Sequence, residues 1–177
     1  MSRNPNYFKR HAHHRAASLC KPVTDTVTTT ILGAGKLRSP EVAFLMTPIR
    51  AAHKAMREGV ATDMQWCYLA HAMNVAMAIE RLGVVRGLRD HIHSAELALE
   101  AIQDRASATG TWKPTALHWH ELDDIASAVD LHEFQLKQLS RKEFESAVVM
   151  ATNEVRSTGG RVVRADWAGH ITQRKSA

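Results

Sequence analysis

Three side chains that could take part in catalysis, Cys67, His71 and Asn74, occupy positions i, i+4 and i+7 of an apolar stretch. On a helix this spacing places them on one face. Cysteine, histidine and asparagine are the residue types of a thiol-protease triad, in which a thiolate attacks and an imidazole transfers the proton. Such triads take the nucleophile and the base from separate elements, and a cysteine within an apolar helix is usually an inert small hydrophobe. The sequence therefore predicts no catalytic residue here.

Histidine supplies the second candidate chemistry, because the chain contains 11 histidines. A metal site centred on His71, His118, His120 and His132 would require these four imidazoles to converge. Helical bundles that hold two metal ions use Glu-x-x-His pairs on facing helices, and no such pair occurs in residues 39–157. We therefore expect no metal and no other cofactor, and a histidine-based metalloprotein is kept as a second alternative function.

Polar packing is the simpler explanation of these side chains. His118 and His132 lie on one apolar stripe of a predicted helix, and His71 and Asn74 interrupt another. A buried imidazole or amide without a hydrogen-bond partner costs roughly 1–3 kcal/mol. We therefore expect His71, Asn74, His118 and His132 to form a buried polar network, in which His71 or Asn74 hydrogen-bonds to a neighbouring helix.

The stretch Asp63–Leu82 must position several of these side chains, and it is the most apolar window of the chain. A helix that is apolar on nearly all sides has to be surrounded by other elements. Thr62 and Gln65 have the spacing of a capping box at its start, and Gly83 is a typical helix stop. The sequence therefore predicts that this stretch is the central helix of a bundle.

The remaining segments predict helices with bundle-type apolar stripes and short connections. Ser39 is the predicted N-cap of the first, in which Pro48 either kinks one helix or starts a new one. Further helices are predicted at Leu88–Ala108, at Ala116–Leu139, and from a Ser140–Glu143 capping box to near Arg156; Val23–Leu32 is an extended segment or short strand. The predicted fold is all-α: an antiparallel bundle of four to five helices with an extended basic N-terminal arm and C-terminal tail.

The composition agrees with a helical protein in a reducing compartment. Aromatic residues make up only 6% of the chain and seven methionines are present, so the core must rely on aliphatic side chains that favour helices. Two cysteines do not make a disulfide framework. No uninterrupted apolar run is long enough to cross a membrane, and no apolar segment follows the basic N-terminus as in a secretory signal. We expect a cytoplasmic protein without membrane contact.

The net charge of +5 is distributed unevenly along the chain. Residues 1–40 carry a net +6, residues 41–155 a net −5, and residues 156–177 a net +4. We therefore divide the chain into a basic, histidine-rich arm (1–38), largely extended or disordered, a helical bundle (39–157) and a basic tail (158–177). The arms are solvated charged segments, fold back on the acidic bundle, or contact a polyanion.

The arms also supply the predicted binding residues, which combine positive charge with a few aromatic side chains. These are Arg3, Tyr7, Phe8, Lys9, Arg10, Arg15, Arg161, Arg164, Trp167, Arg174 and Lys175. The function that the sequence favours is a non-enzymatic helical interaction module that self-associates or binds a protein partner, with arms that contact a polyanion. Trp112, in a loop between two predicted helices, and Trp167, in the tail, are expected to be exposed anchors. The alternative is a nucleic-acid-associated accessory or regulatory protein that binds through residues 1–21 and 161–175.

Overall fold

A computed structural model describes residues 33–108, 112 and 117–158. The predicted segment Val23–Leu32, residues 1–32 of the basic arm and residues 159–177 of the tail lie outside these residues. The chain divides into two units, residues 1–35 and 36–177, and the description below concerns the second. Its helices are α1 (Ser39–Arg57), α2 (Asp63–Leu82), α3 (Arg89–Ser107), α4 (Trp119–Gln138) and α5 (Arg141–Ser157). The prediction of an all-α bundle is confirmed, and the described residues contain an isolated bridge between Lys36 and Ser140 but no strand.

Helix α2 is central, with the bounds that its apolar sequence predicts. It packs against all four other helices. Half of its residues are buried, among them Leu69, Met73, Ala76 and Ile79, which are fully inaccessible to solvent. The apolar character on several sides of this stretch thus has a direct structural cause, because each side faces a different neighbour.

Contacts between helix ends set the relative directions of α2, α3 and α4. The Trp66 indole N–H donates to the Leu99 carbonyl at 2.8 Å, and the Gly87 N–H donates to the Glu80 carboxylate at 2.8 Å, so α2 and α3 are antiparallel. Arg105 near the end of α3 forms an ion pair with Glu121 near the start of α4. Helix α5 packs on α2 through Ala147 and Ala151, whose small side chains allow a close approach.

Local capping fixes several helix ends as the sequence predicts. The Thr62 N–H donates to the Gln65 side chain at 2.8 Å and the Ser140 N–H to the Glu143 carboxylate at 2.7 Å, and both capping boxes are closed by the reciprocal bond. The Ser140 N–H also lowers the pKa of Glu143, because it stabilises the charged carboxylate. Gly83 ends α2 at φ 77°, a left-handed conformation that glycine adopts at little cost.

The start of α1 differs from the prediction by one residue, because the N-cap is Arg38 and not Ser39. The Leu37 N–H donates to the Leu139 carbonyl at 2.9 Å, and the Glu41 carboxylate accepts the Arg38 N–H at 2.9 Å. These contacts fix the entry of the chain before Ser39. Pro48 lies inside one continuous helix. It is exposed, as is Phe44, so water can reach the Phe44 carbonyl that Pro48 cannot bond.

Candidate interaction surfaces and a buried polar network

The face of α2 that carries Cys67 does not have the properties of a thiol active site. The Cys67 side chain is a free thiol and is exposed. Partial burial and the nearby Asp63 carboxylate raise its pKa, so the neutral thiol is favoured over the nucleophilic thiolate. His71 is also exposed, although partial desolvation lowers its pKa. The structure therefore shows no arrangement that would activate the Cys67 thiol as a nucleophile.

A buried polar network does exist, and it links α4 to α2. His132 is 2% exposed and Gln135 is completely buried. The His132 Nδ1 lies 3.3 Å from the Gln135 Oε1, and the Gln135 Nε2 donates to the Ala76 carbonyl of α2 at 3.1 Å. Burial lowers the pKa of His132 to about 4, and the neighbouring His71 adds to this effect while the bond to Gln135 opposes it. The imidazole is therefore neutral near pH 7, and its Nδ1 can donate to Gln135.

The four residues of the predicted network differ in burial: His132 is buried and Asn74 is half-buried, whereas His71 and His118 are exposed and so are not buried as expected. His118 is the N-cap of α4 and lies outside its apolar seam. Sequence reasoning missed Gln135, which stands three residues after His132 and hence on the same side of the helix.

Glu121 explains why α4 begins at Trp119 instead of Ala116. Its carboxylate accepts the His118 N–H at 3.3 Å and forms the ion pair with Arg105 of α3. His118 and His120, at the start of α4, are exposed, and their rings stack with centroids 5.6 Å apart. In the described part of the chain, no group of three or more His, Cys, Asp or Glu side chains is placed to hold a metal ion.

The tryptophans near this end are placed differently from the prediction. Trp112 was expected to be an exposed anchor, but it is half-buried: its ring lies 6.1 Å from that of Trp66, and its indole N–H donates to the Ala61 carbonyl at 2.9 Å. This hydrogen bond and the apolar contact attach Trp112 to the core. Trp119, which the sequence analysis did not single out, is 76% exposed. In the sequence, Trp119 stands next to the predicted apolar stripe of α4 and not on it, and this position could have predicted that it is exposed.

An apolar opening lies between the first turns of α1 and α5. We call it the α1–α5 groove. Its volume is about 430 Å³, and its apolar walls are Leu37, Pro40, Phe44, Leu45 and Phe144. Phe44 is 80% exposed. An unprotected phenylalanine on an apolar groove is typical of a surface that binds a partner.

Charged residues at the edge of the groove are nearly balanced in sign. Glu41, Arg141 and Glu145 line the groove, and Glu41 forms ion pairs with Arg141 and, at 3.5 Å, with Arg38. The pKa of Glu41 is lowered chiefly by the Arg38 backbone N–H, with a further contribution from Arg141. The groove therefore combines an apolar floor with a rim of paired charges.

A second exposed apolar surface lies on α2 and just before it. Met64 and Tyr68, four residues apart on α2, are 62% and 48% exposed, and Val60 in the loop before the helix is 65% exposed. We call them the α2 outer face. Farther along the same face, Val75 and Ala78 are buried. The packing of the bundle thus covers the C-terminal half of this helix face and leaves the N-terminal half open.

The predicted binding residues of the two arms lie outside the described residues, so the structure does not place them. None of the helices that the structure describes is long and apolar enough to cross a bilayer. Fold and surface together define an all-α helical bundle with exposed apolar patches. Comparison of the chain with protein-family models, curated proteins and solved structures finds no match.

Proposed function

We propose that this chain is a non-enzymatic helical interaction module, which self-associates or binds a protein partner through the bundle while its basic arms contact a polyanion. The observation that carries this proposal is the α1–α5 groove with Phe44 80% exposed beside it. An exposed aromatic ring beside apolar walls offers surface whose burial against a partner would be favourable. Helix α1, which carries Phe44, is continuous, and its Glu41 carboxylate accepts the N–H of the N-cap Arg38, so the exposed aromatic ring is not explained by a poorly formed helix.

The interior supports a binding role more than a catalytic one. The most strongly shifted histidine, His132, is buried and hydrogen-bonded to Gln135, and no substrate could reach it without opening the bundle. The accessible thiol of Cys67 has a raised pKa, which disfavours nucleophilic attack. What the bundle offers to a partner is apolar surface.

Light scattering of the full chain over a wide concentration range, together with a pull-down from the native host, tests this function. We expect either a concentration-dependent rise in mass or a specific protein partner that is retained. Phe44→Glu should reduce this binding, because it places a charge on the apolar surface, and Phe134→Glu is the matched control at a half-exposed phenylalanine of α4. A strictly monomeric chain that retains no protein would contradict the proposal.

A second candidate, a nucleic-acid-associated accessory protein, rests on the charge distribution. Basic ends with net charges of +6 and +4 flank a body of −5. The body repels phosphate, so binding through residues 1–21 and 161–175 should be weakly sequence-specific and should decrease steeply with salt. Fluorescence anisotropy with labelled oligonucleotides tests it, and deletion of both segments should abolish binding. Affinity that survives this deletion would show that the arms are not the binding element.

A further inference from the structure

We infer that the occupant of the α1–α5 groove is the same groove of a second copy of this chain, so that the module forms a two-fold dimer. This inference rests on the proposed function and names its partner. It depends on three features of the described residues: a protruding ring beside a hollow, a volume that suits the ring, and a rim that does not repel a copy of itself.

The first feature is self-complementary shape. In a two-fold dimer both subunits use the same patch, so the patch must contain both a projection and a recess to receive it. Phe44 is 80% exposed and stands on the α1 wall, and the recess lies beside it between α1 and α5. Phe44 of each copy can therefore enter the groove of the other.

The second feature is size and chemistry. The groove has a volume of about 430 Å³, within the range of roughly 300–1,000 Å³ that accommodates organic ligands in proteins. A phenylalanine ring fits into such a space, and the walls that it would meet include Leu45 and Phe144. Aromatic rings that meet in a water-free contact add to the stabilisation from buried area.

The third feature is charge. A patch of one sign would repel its own copy across a two-fold axis. Here the lining contains one basic side chain, Arg141, and two acidic ones, Glu41 and Glu145, and Glu41 also pairs with Arg38 beside the groove. The charges around the groove are thus of both signs, although the chain carries +5 overall. This balance favours a neutral apolar partner such as a second copy over a polyanion.

The groove involves only the first turns of two helices, whereas stable dimers bury roughly 800 Å² on each partner. We therefore expect a weak, reversible dimer. Sedimentation velocity of the full chain from low to high micromolar concentration measures it. Phe44→Glu should raise the dissociation constant on the order of 100-fold or more, because both copies lose a buried ring. Its melting temperature at low concentration should be unchanged, since the ring is exposed in the monomer.

Two further variants locate the contact. Phe134→Glu makes the same substitution on α4, where the phenylalanine is 50% exposed, and Tyr68→Glu changes the α2 outer face. Both should dimerise like the wild-type chain, and the dimer should persist at high salt because its contact is apolar. A monomeric wild-type chain, or an association that is lost in high salt, would overturn the inference. Loss of the dimer in Tyr68→Glu but not in Phe44→Glu would also overturn it and would leave the proposed function intact.

Site-specific photocross-linking separates the remaining occupants of the groove. A photoreactive phenylalanine analogue at position 44, in a mixture of isotopically light and heavy chains, should give light–heavy cross-links to residues 37–45 or 141–145. Cross-links confined to one chain, including any to its own residues 159–177, would refute the two-fold contact. The proposed function would then be decided by the pull-down alone.

Discussion

Acidification should destabilise the bundle through His132, and the substitution His132→Asn isolates this effect. His132 is 2% exposed, and its pKa is lowered from 6.5 to about 4, mainly by burial. Asparagine does not titrate, and its side-chain N–H can stand in for Nδ1 as the donor to Gln135. The variant should be less stable than the wild type at neutral pH, because the smaller side chain leaves a cavity.

The sign and size of the pH effect follow from proton linkage. Between pH 6.5 and 4 the unfolded chain binds a proton at His132 that the folded chain excludes, so protons favour unfolding. The stability that depends on the neutral imidazole is fully present above pH 6.5 and is lost as the pH falls towards 4. One pKa unit corresponds to about 1.36 kcal/mol, so a shift from 6.5 to about 4 corresponds to about 3 kcal/mol at the acidic end.

Urea denaturation at a series of pH values between neutral and 4 measures this difference. The free energy of unfolding of the wild type should fall by about 3 kcal/mol more than that of His132→Asn over this range. His53 and His71 also have lowered pKa values, and Glu133 and Glu143 lose favourable bonds on protonation, but all four are present in both proteins and cancel in the comparison. His91→Asn, at an exposed position, is the matched control and should follow the wild type. Parallel curves for wild type and His132→Asn would refute the reasoning.

Two further pairs of substitutions test the packing and the turns. Ala147→Leu should lower the free energy of unfolding, measured by urea denaturation, by about 1–3 kcal/mol, because it inserts a larger side chain where α5 meets α2. Val149→Leu, on the exposed side of α5, should change this stability little. Equal stabilities of the two variants would show that the helices do not approach closely at Ala147. Gly83→Ala and Gly59→Ala should each lower the free energy of unfolding by about 1–2 kcal/mol because both glycines have positive φ, and at Gly83 the Arg86 side chain would also have to move. An unchanged melting temperature in both variants would contradict that explanation.

Helix positions could be predicted from the sequence because most helix ends are determined locally. Thr62 with Gln65, Ser140 with Glu143, and Gly83 act within a few residues of the ends that they define. The start of α1 was misplaced by one residue for a tertiary reason. The bond from Leu37 to the Leu139 carbonyl joins segments that are far apart in sequence, and no pattern near Ser39 reports it.

Burial of the histidines was harder to predict, because it depends on where neighbouring elements begin and cross. His118 and His132 have the same seam spacing, but α4 begins only at Trp119, so His118 is exposed and His132 is buried. His71 belongs to an apolar helix, yet the covered part of its face begins beyond it. Which part of this face is buried depends on how the helices pack, and the sequence around His71 does not predict it.

The α1–α5 groove could not be predicted from the sequence either, but its position follows from interactions in the interior. Apolar seams rich in alanine, leucine and methionine tolerate small shifts of one helix along another, whereas the Gln135 amide has a specific acceptor, the Ala76 carbonyl of α2. A shift of α4 would leave Gln135 and His132 buried without their partners, at roughly 1–3 kcal/mol for each unsatisfied group. The same helix ends at Gln138, and the carbonyl of its C-cap, Leu139, accepts the N–H of Leu37, a wall residue of the groove; α5 starts two residues after Leu139. The end of α4 therefore connects directly to both walls of the groove, to α1 through Leu37 and to α5 through the chain.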